Sequence, residues 1–146
     1  MGKTFSQEHG EAHLGAGELS YFGDGWFAPS AGAFGTSRLS DGELSEVFFV
    51  LGDRESRQPI LARFNLSSAL PDSGVLKARI ELNGEPVGQI EVRGERPRQQ
   101  EASLPVGSLQ SGLNRIVLRY GQTARLDRRH RQVAIRLFGV NLEIEQ

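Results

Sequence analysis

Apolar and polar residues alternate with period two along most of the second half of this chain. Over Val75–Asn83, Leu76, Ala78, Ile80 and Leu82 fall on one face and Lys77, Arg79 and Glu81 on the other, as in a half-buried strand. Asn83-Gly84 predicts a tight hairpin, and the return strand Val87–Arg93 turns Ile90 and Val92 inward. Leu104–Tyr120 reads as a strand end, a short crossing over the end of a sandwich, a Gly112-Leu113-Asn114 turn and a new strand. Gly112 takes a positive φ without steric cost, Asn114 can bond its own backbone, and Ile116, Leu118 and Tyr120 share one face. The last strand, Val133–Ile144, changes phase: Val133, Ile135 and Leu137 are odd-numbered, whereas Val140, Leu142 and Ile144 are even-numbered. A bulge at Phe138-Gly139 reconciles the halves. The expected core includes Ile80, Leu82, Ile116, Leu118, Leu142 and Ile144.

Earlier in the chain, Glu46–Leu51 is a nearly continuous apolar run, Asp53–Gln58 a polar turn, Ile60–Leu66 a strand and Pro71–Gly74 a turn. Residues 1–17 lack periodicity and read as a flexible arm; residues 18–146 read as one domain. Between Glu18 and Leu44 the sequence is Gly-rich yet holds Tyr21, Phe22, Trp26, Phe27 and Phe34. Such aromatics either pin a loop onto the core or offer a ligand a platform. No long window carries a 3.6-residue period. The expected fold class is all-β, an antiparallel two-sheet jelly-roll β-sandwich.

Charge and composition narrow the chemistry. A net charge of −1 gives no global field for nucleic acid or an anionic membrane. The cations are almost all Arg, which reflects either a GC-rich genome or a use for bidentate contacts to carboxylate or phosphate. The absence of Cys removes disulfides, thiolate metal sites and cysteine catalysis. No apolar run approaches the ~20 residues of a spanning helix. The N-terminus has no signal-like apolar core; an extracytoplasmic location fits if a signal or parent chain was removed.

Catalytic motifs are weak. His9 and His13 stand in the arm without a metalloprotease pattern, no Gly-x-Ser-x-Gly elbow occurs, and no carboxylate pair singles itself out. Calcium has loop and strand-end candidates in Asp24, Asp41 and Glu143; each also serves as an ordinary turn or strand residue. Two segments stand out as binding chemistry. Trp26, the only Trp, lies in the Gly-rich loop, where an indole face can stack on a pyranose. Arg125, Arg128, Arg129 and Arg131, with Asp127 and His130, form a charged loop that is either solvated or an anion site.

Several segments look familiar. Gly25-Trp26-Phe27 followed by Thr36-Ser37-Arg38-Leu39-Ser40-Asp41-Gly42 resembles the opening of galactose-binding-like jelly rolls attached to bacterial glycan-handling enzymes. Leu39 or Ser37 stands where those domains carry a second Trp. Asp127-Arg128-Arg129 before Val133–Leu137 resembles their closing motif, and LNGEPVGQIEV with LPVGSLQSGLNRIVL is similar to their middle. The resemblance spans roughly residues 20–145. It implies a non-catalytic carbohydrate-binding or glycan-enzyme accessory module, with a glycan or polysaccharide as ligand and a parent or partner glycan-processing enzyme. Trp26, Phe27, Arg38, Arg125, Asp127, Arg128, Arg129 and His130 are then the candidate ligand contacts. Calcium is the one cofactor candidate, and neither nucleic acid nor membrane insertion is expected. One rival reading is an assembly domain, with an apolar patch around Phe48, Phe49 and Phe64. Another is a small glycan-modifying enzyme, whose pocket would need converging titratable groups.

Overall fold

The computed structural model describes residues 4–8, 11–14, 18–126 and 131–145, and all pairing among them is antiparallel. One sheet runs, in spatial order, β3 (Glu18–Phe22), β6 (Leu44–Leu51), β11 (Gly112–Tyr120), β8 (Leu76–Leu82) and β9 (Glu85–Val92). The other runs β10 (Arg98–Leu104), β7 (Ile60–Ser68) and β14 (Ile135–Ile144). Along its free side β14 pairs first with β5 (Gly35–Leu39) and then with β1 (Thr4–Glu8). Strand β2 (Glu11–Leu14) bridges β1 and β3, so a meander joins the edges of the two sheets. Two small hairpins complete the fold: β4 (Ser30–Gly32) with β5, and β12 (Ala124–Leu126) with β13 (Arg131–Val133). This is the expected jelly-roll sandwich. Among the described residues no helix is long and apolar enough to cross a membrane.

The core lies between the sheets and follows the period-two pattern. Val47, Phe49 and Leu51 of β6 face Ile60, Ala62, Phe64 and Leu66 of β7 across the sandwich, all essentially without solvent contact. Ala78, Ile80, Leu82, Ile116 and Leu118 extend it on one side and Leu137, Val140 and Leu142 on the other. The β8–β9 hairpin turns through Asn83 (φ 52°) and Gly84 (φ 89°), the two successive positive φ values that match the right-handed strand twist. The register of β14 slips between Leu137 and Gly139, at the expected bulge, so Ile135, Leu137, Val140 and Leu142 are all buried.

The crossing before β11 is held by a polar knot. Gly112 has φ 90°. The buried Asn114 amide donates to Gln110 O (2.8 Å) and Gly112 O (3.1 Å), while its Oδ1 accepts from Gln110 N and Asn83 Nδ2 (2.9 Å each). Asn83 Nδ2 also donates to Ser108 O (2.8 Å), and Arg115 N donates to Asn83 Oδ1 (2.8 Å). Asn83 of the β8–β9 turn and Asn114 of β11 thus satisfy backbone groups that the crossing would otherwise bury unpaired.

Some expectations change. Residues within the expected arm, 1–17, supply β1 and β2, because the outer part of β14 has no other partner on that side. Ile144 is only partly buried, at the strand's end, although it packs against the core. Phe49 and Phe64 are fully buried and give no patch; only Phe48 of that trio faces outward, half-buried, with Gly23 against its ring. Asp127, Arg128, Arg129 and His130 lie outside the described residues.

The buried face of β11 generates the first prediction. Leu118→Ala removes a side chain with no solvent contact and should cost about 2–5 kcal/mol. Ile144→Ala should cost clearly less. Urea midpoints of both variants test the ranking; equal midpoints would contradict it.

Candidate functional site

Two structural features of the segment between β3 and β6 decide what it can present. The first is how it is nailed down. Gly25 has φ 89°, and a Cβ built on it would stand 2.2 Å from Leu44 O and 2.7 Å from Ser45 Cα. Only Gly lets the chain pass this close. Around it sits a buried hydroxyl relay. Tyr120 donates to Ser45 Oγ (2.7 Å), and Ser45 donates to Gly25 O (2.6 Å). Ser40, also fully buried, accepts from Ala134 N (2.9 Å) and Ile135 N (3.0 Å), and its own N–H donates to Ile135 O (2.9 Å). Burial pushes the Tyr120 phenol well above the ordinary tyrosine range, against the smaller opposing effect of the Ser45 and Ser40 hydroxyls.

Trp26 belongs to this anchor. Its indole N–H donates to Glu46 O (2.8 Å), and its ring stands edge-on to Phe22 with centroids 5.3 Å apart. Phe22 in turn carries the Arg38 guanidinium on its face, 4.6 Å from the centroid, and Arg38 donates to Phe27 O (3.3 Å). The Arg131 guanidinium covers Phe27 at 5.2 Å and pairs with Asp41 at 2.6 Å. Gly42 N donates to Gln132 O (2.7 Å). The loop that carries Trp26 and the β12–β13 hairpin therefore meet at one end of the sandwich, Arg131 being the contact. Arg125, on β12, is exposed.

The second feature is the β4–β5 hairpin. Gly32 pairs with Gly35, leaving Ala33 and Phe34 as a two-residue tip, and Gly35 follows with φ 107°. Phe34 is 45% exposed, among the most exposed large apolar side chains described. It lines a hollow of about 340 Å³ with Ser30, Ser37, Glu95, Arg136 and Phe138. Strand pairing explains the meeting. Register of β5 on β14 sets Leu39 opposite Arg136 and Arg38 opposite Leu137. The bulge places Phe138 at the register slip, as bulges re-aim side chains. Ser68 N donates to Gly94 O (2.9 Å), which tethers the turn holding Glu95 beside the end of β7. Phe34 stood among the aromatics counted in the sequence, but only the hairpin shows it at a tip. Its flanking glycines were the available signal.

The carboxylates considered for calcium do not converge. Asp41 pairs with Arg131, Glu143 pairs with Arg63 at 2.7 Å, and Asp24 is exposed in its turn. Among the described residues no three His, Cys, Asp or Glu side chains gather around one point. Of the hollow's lining, only Glu95 carries a carboxylate, whereas a glycosidase of the usual kind needs two.

No protein-family model matches the sequence, and no curated protein matches it. Solved structures do match the fold. The CBM36-1 domain of a multidomain xylanase from the hindgut metagenome of Trinervitermes trinervoides is 11% identical, with TM-score 0.54 over 100% of this chain and 98% of that one. The C-terminal CBM6 of LamC, a marine laminarinase from Zobellia galactanivorans, is 14% identical, with TM-score 0.52 over 95% and 98%. Dimeric latent PorU from Porphyromonas gingivalis is 11% identical, with TM-score 0.56; the match covers 98% of this chain and 12% of that chain. The chain has a jelly-roll β-sandwich fold that these carbohydrate-binding modules also have.

The anchor yields two predictions. Gly25→Ala should destabilise the protein by more than the about 1–2 kcal/mol of a left-handed L-residue alone, because Leu44 O blocks the methyl. Chemical denaturation measures it. In a Tyr21→Phe background, Tyr120 is the only Tyr. Its folded pKa lies above the unfolded value of about 10, so the contribution to stability is full below that pH and falls as pH rises beyond it. Tyrosinate absorbance should then appear only together with unfolding; a separate titration in the folded protein would contradict the buried relay.

Proposed function

We propose that this chain is a carbohydrate-binding module that takes a glycan in the hollow under the β4–β5 hairpin. The observation that carries the reading is an exposed Phe34 ring held at a hairpin tip beside convergent polar groups. A pyranose has apolar C–H faces and equatorial hydroxyls, so it asks for a ring to stack on and for donors and acceptors around its edge. Phe34 and Phe138 supply the apolar surface. Ser30, Ser37, Glu95 and Arg136 supply polar groups of both kinds. The volume lies at the lower end of small-molecule sites, which suits one or two sugar units. The role is non-catalytic, as an accessory to a parent or partner glycan-processing enzyme; two modules of like fold belong to a xylanase and a laminarinase.

A second contact for longer glycans is supported by the meeting of Phe27 with the β12–β13 hairpin through Arg131. Phe27, Arg38 and Arg125 stand at that end, and Trp26 contributes by holding it in place.

Binding should be weak, because one aromatic platform leaves little surplus over the cost of association. Phe34→Ala and Arg136→Ala should each weaken glycan binding by about tenfold with an unchanged melting temperature. Trp26→Ala should instead lower the melting temperature. A glycan array followed by titration calorimetry with the highest-affinity glycan tests this. Full binding by Phe34→Ala would remove the hollow as the site. No binding of any glycan by the folded wild type would favour the assembly-domain reading.

A further inference from the structure

Among the described residues five arginines pair with a carboxylate. Arg63 pairs with Glu101 and Glu143, Arg93 with Glu91, Arg115 with Glu46, Arg119 with Glu81, and Arg131 with Asp41. The hollow is different. Glu95 and Arg136 both line it, yet they do not pair with each other, and neither has an ion-pair partner among the described residues. Two opposite charges are thus held apart across a space of about 340 Å³, each left with unused hydrogen-bonding capacity.

We infer that Glu95 is a specificity residue that keeps anionic sugars, such as uronates and sulfated glycans, out of this hollow and reserves Arg136 for the hydroxyls of neutral ones. The inference rests on the glycan-binding reading above. A lone Arg beside two Phe rings would favour a uronate, because its fork matches a carboxylate. Glu95 changes that balance. A neutral sugar can donate one hydroxyl to Glu95 while another hydroxyl oxygen accepts from Arg136. A sugar carboxylate or sulfate only accepts. It satisfies Arg136 but brings a like charge toward Glu95, which it cannot bond. Discrimination by a repulsive group next to an attractive one is a general device for specificity. Glu95 sits in an exposed turn held through the Gly94 carbonyl, so the fold does not depend on its side chain.

The test uses the full chain and matched neutral and charged forms of one backbone: xylan against glucuronoxylan, and methyl-esterified polygalacturonate against the free acid. Affinity electrophoresis gives the ratio of affinities within each pair. Wild type should prefer the neutral form. Glu95→Gln, which keeps the size and an acceptor, should improve binding of the charged form by about tenfold at low salt and change the neutral form little. That gain should vanish near 1 M salt, where the Debye length falls to about 3 Å, and in the Glu95→Gln, Arg136→Ala double variant. A wild type that prefers the charged form, or a Glu95→Gln ratio equal to wild type, overturns the inference and leaves the glycan reading standing. A wild type that binds none of the four polymers overturns both.

Discussion

The sandwich depends on one buried polar joint between its two sheets. Tyr120 on β11 donates to Ser45 on β6 in the interior, the Ser40 hydroxyl just beyond β5 acts on the same phenol, and Ser40 takes two amides from the approach to β14. In a low-dielectric interior each bond is strong, and each would leave an expensive orphan if its partner were lost. The joint therefore tolerates few alternatives. It sets where the Gly-rich loop leaves the core, and Gly25, packed on Leu44 O, makes that exit point sterically unique. Apolar packing between the two sheets supplies most of the cohesion. The polar joint decides which arrangement that cohesion stabilises.

From this fixed exit point the chain can afford a protruding hairpin. Between the anchor at Gly25 and the return at Ser40 the backbone is free to place Phe34 outward, because both ends are held. Trp26, Phe22, Arg38, Phe27 and Arg131 form a run of stacked rings and guanidiniums that closes the same end of the molecule. Arg suits this better than Lys, since its planar group lies flat on a ring while its N–H edge bonds a carbonyl or carboxylate. Part of the chain's Arg usage is thus accounted for by stacking and by ion pairs such as Arg63 with Glu101 and Glu143. Arg136 takes no part in these and lines the hollow.

The division between what local patterns reveal and what they hide is clear at three places. The Asn83-Gly84 hairpin, the Gly112 turn and the bulge at Gly139 were legible in the sequence, because turn chemistry and side-chain phase are properties of a few consecutive residues. The choice between a pinned and an exposed aromatic was not. Trp26 and Phe34 lie in similarly Gly-rich surroundings, and nothing local distinguishes a ring that finds Glu46 O from one that finds solvent. The third place is β1 and β2: short, polar and Gly-flanked segments carry no period of their own, so their strand character comes from pairing, β1 on the open edge of β14 and β2 between β1 and β3.

By itself the sequence determined the fold class, the faces of the long strands, the hairpin turns and the absence of thiol chemistry. Each of these follows from residue type or from spacing within one element. Tertiary structure alone decided that Glu95, from a turn after β9, and Arg136, from β14, share one hollow with a hairpin tip from the N-terminal part of the chain. It also turned Trp26 into an anchor. The physical reason is that strand pairing brings remote segments to one end of the sandwich, and which of their side chains are left unpaired depends on every other contact made there.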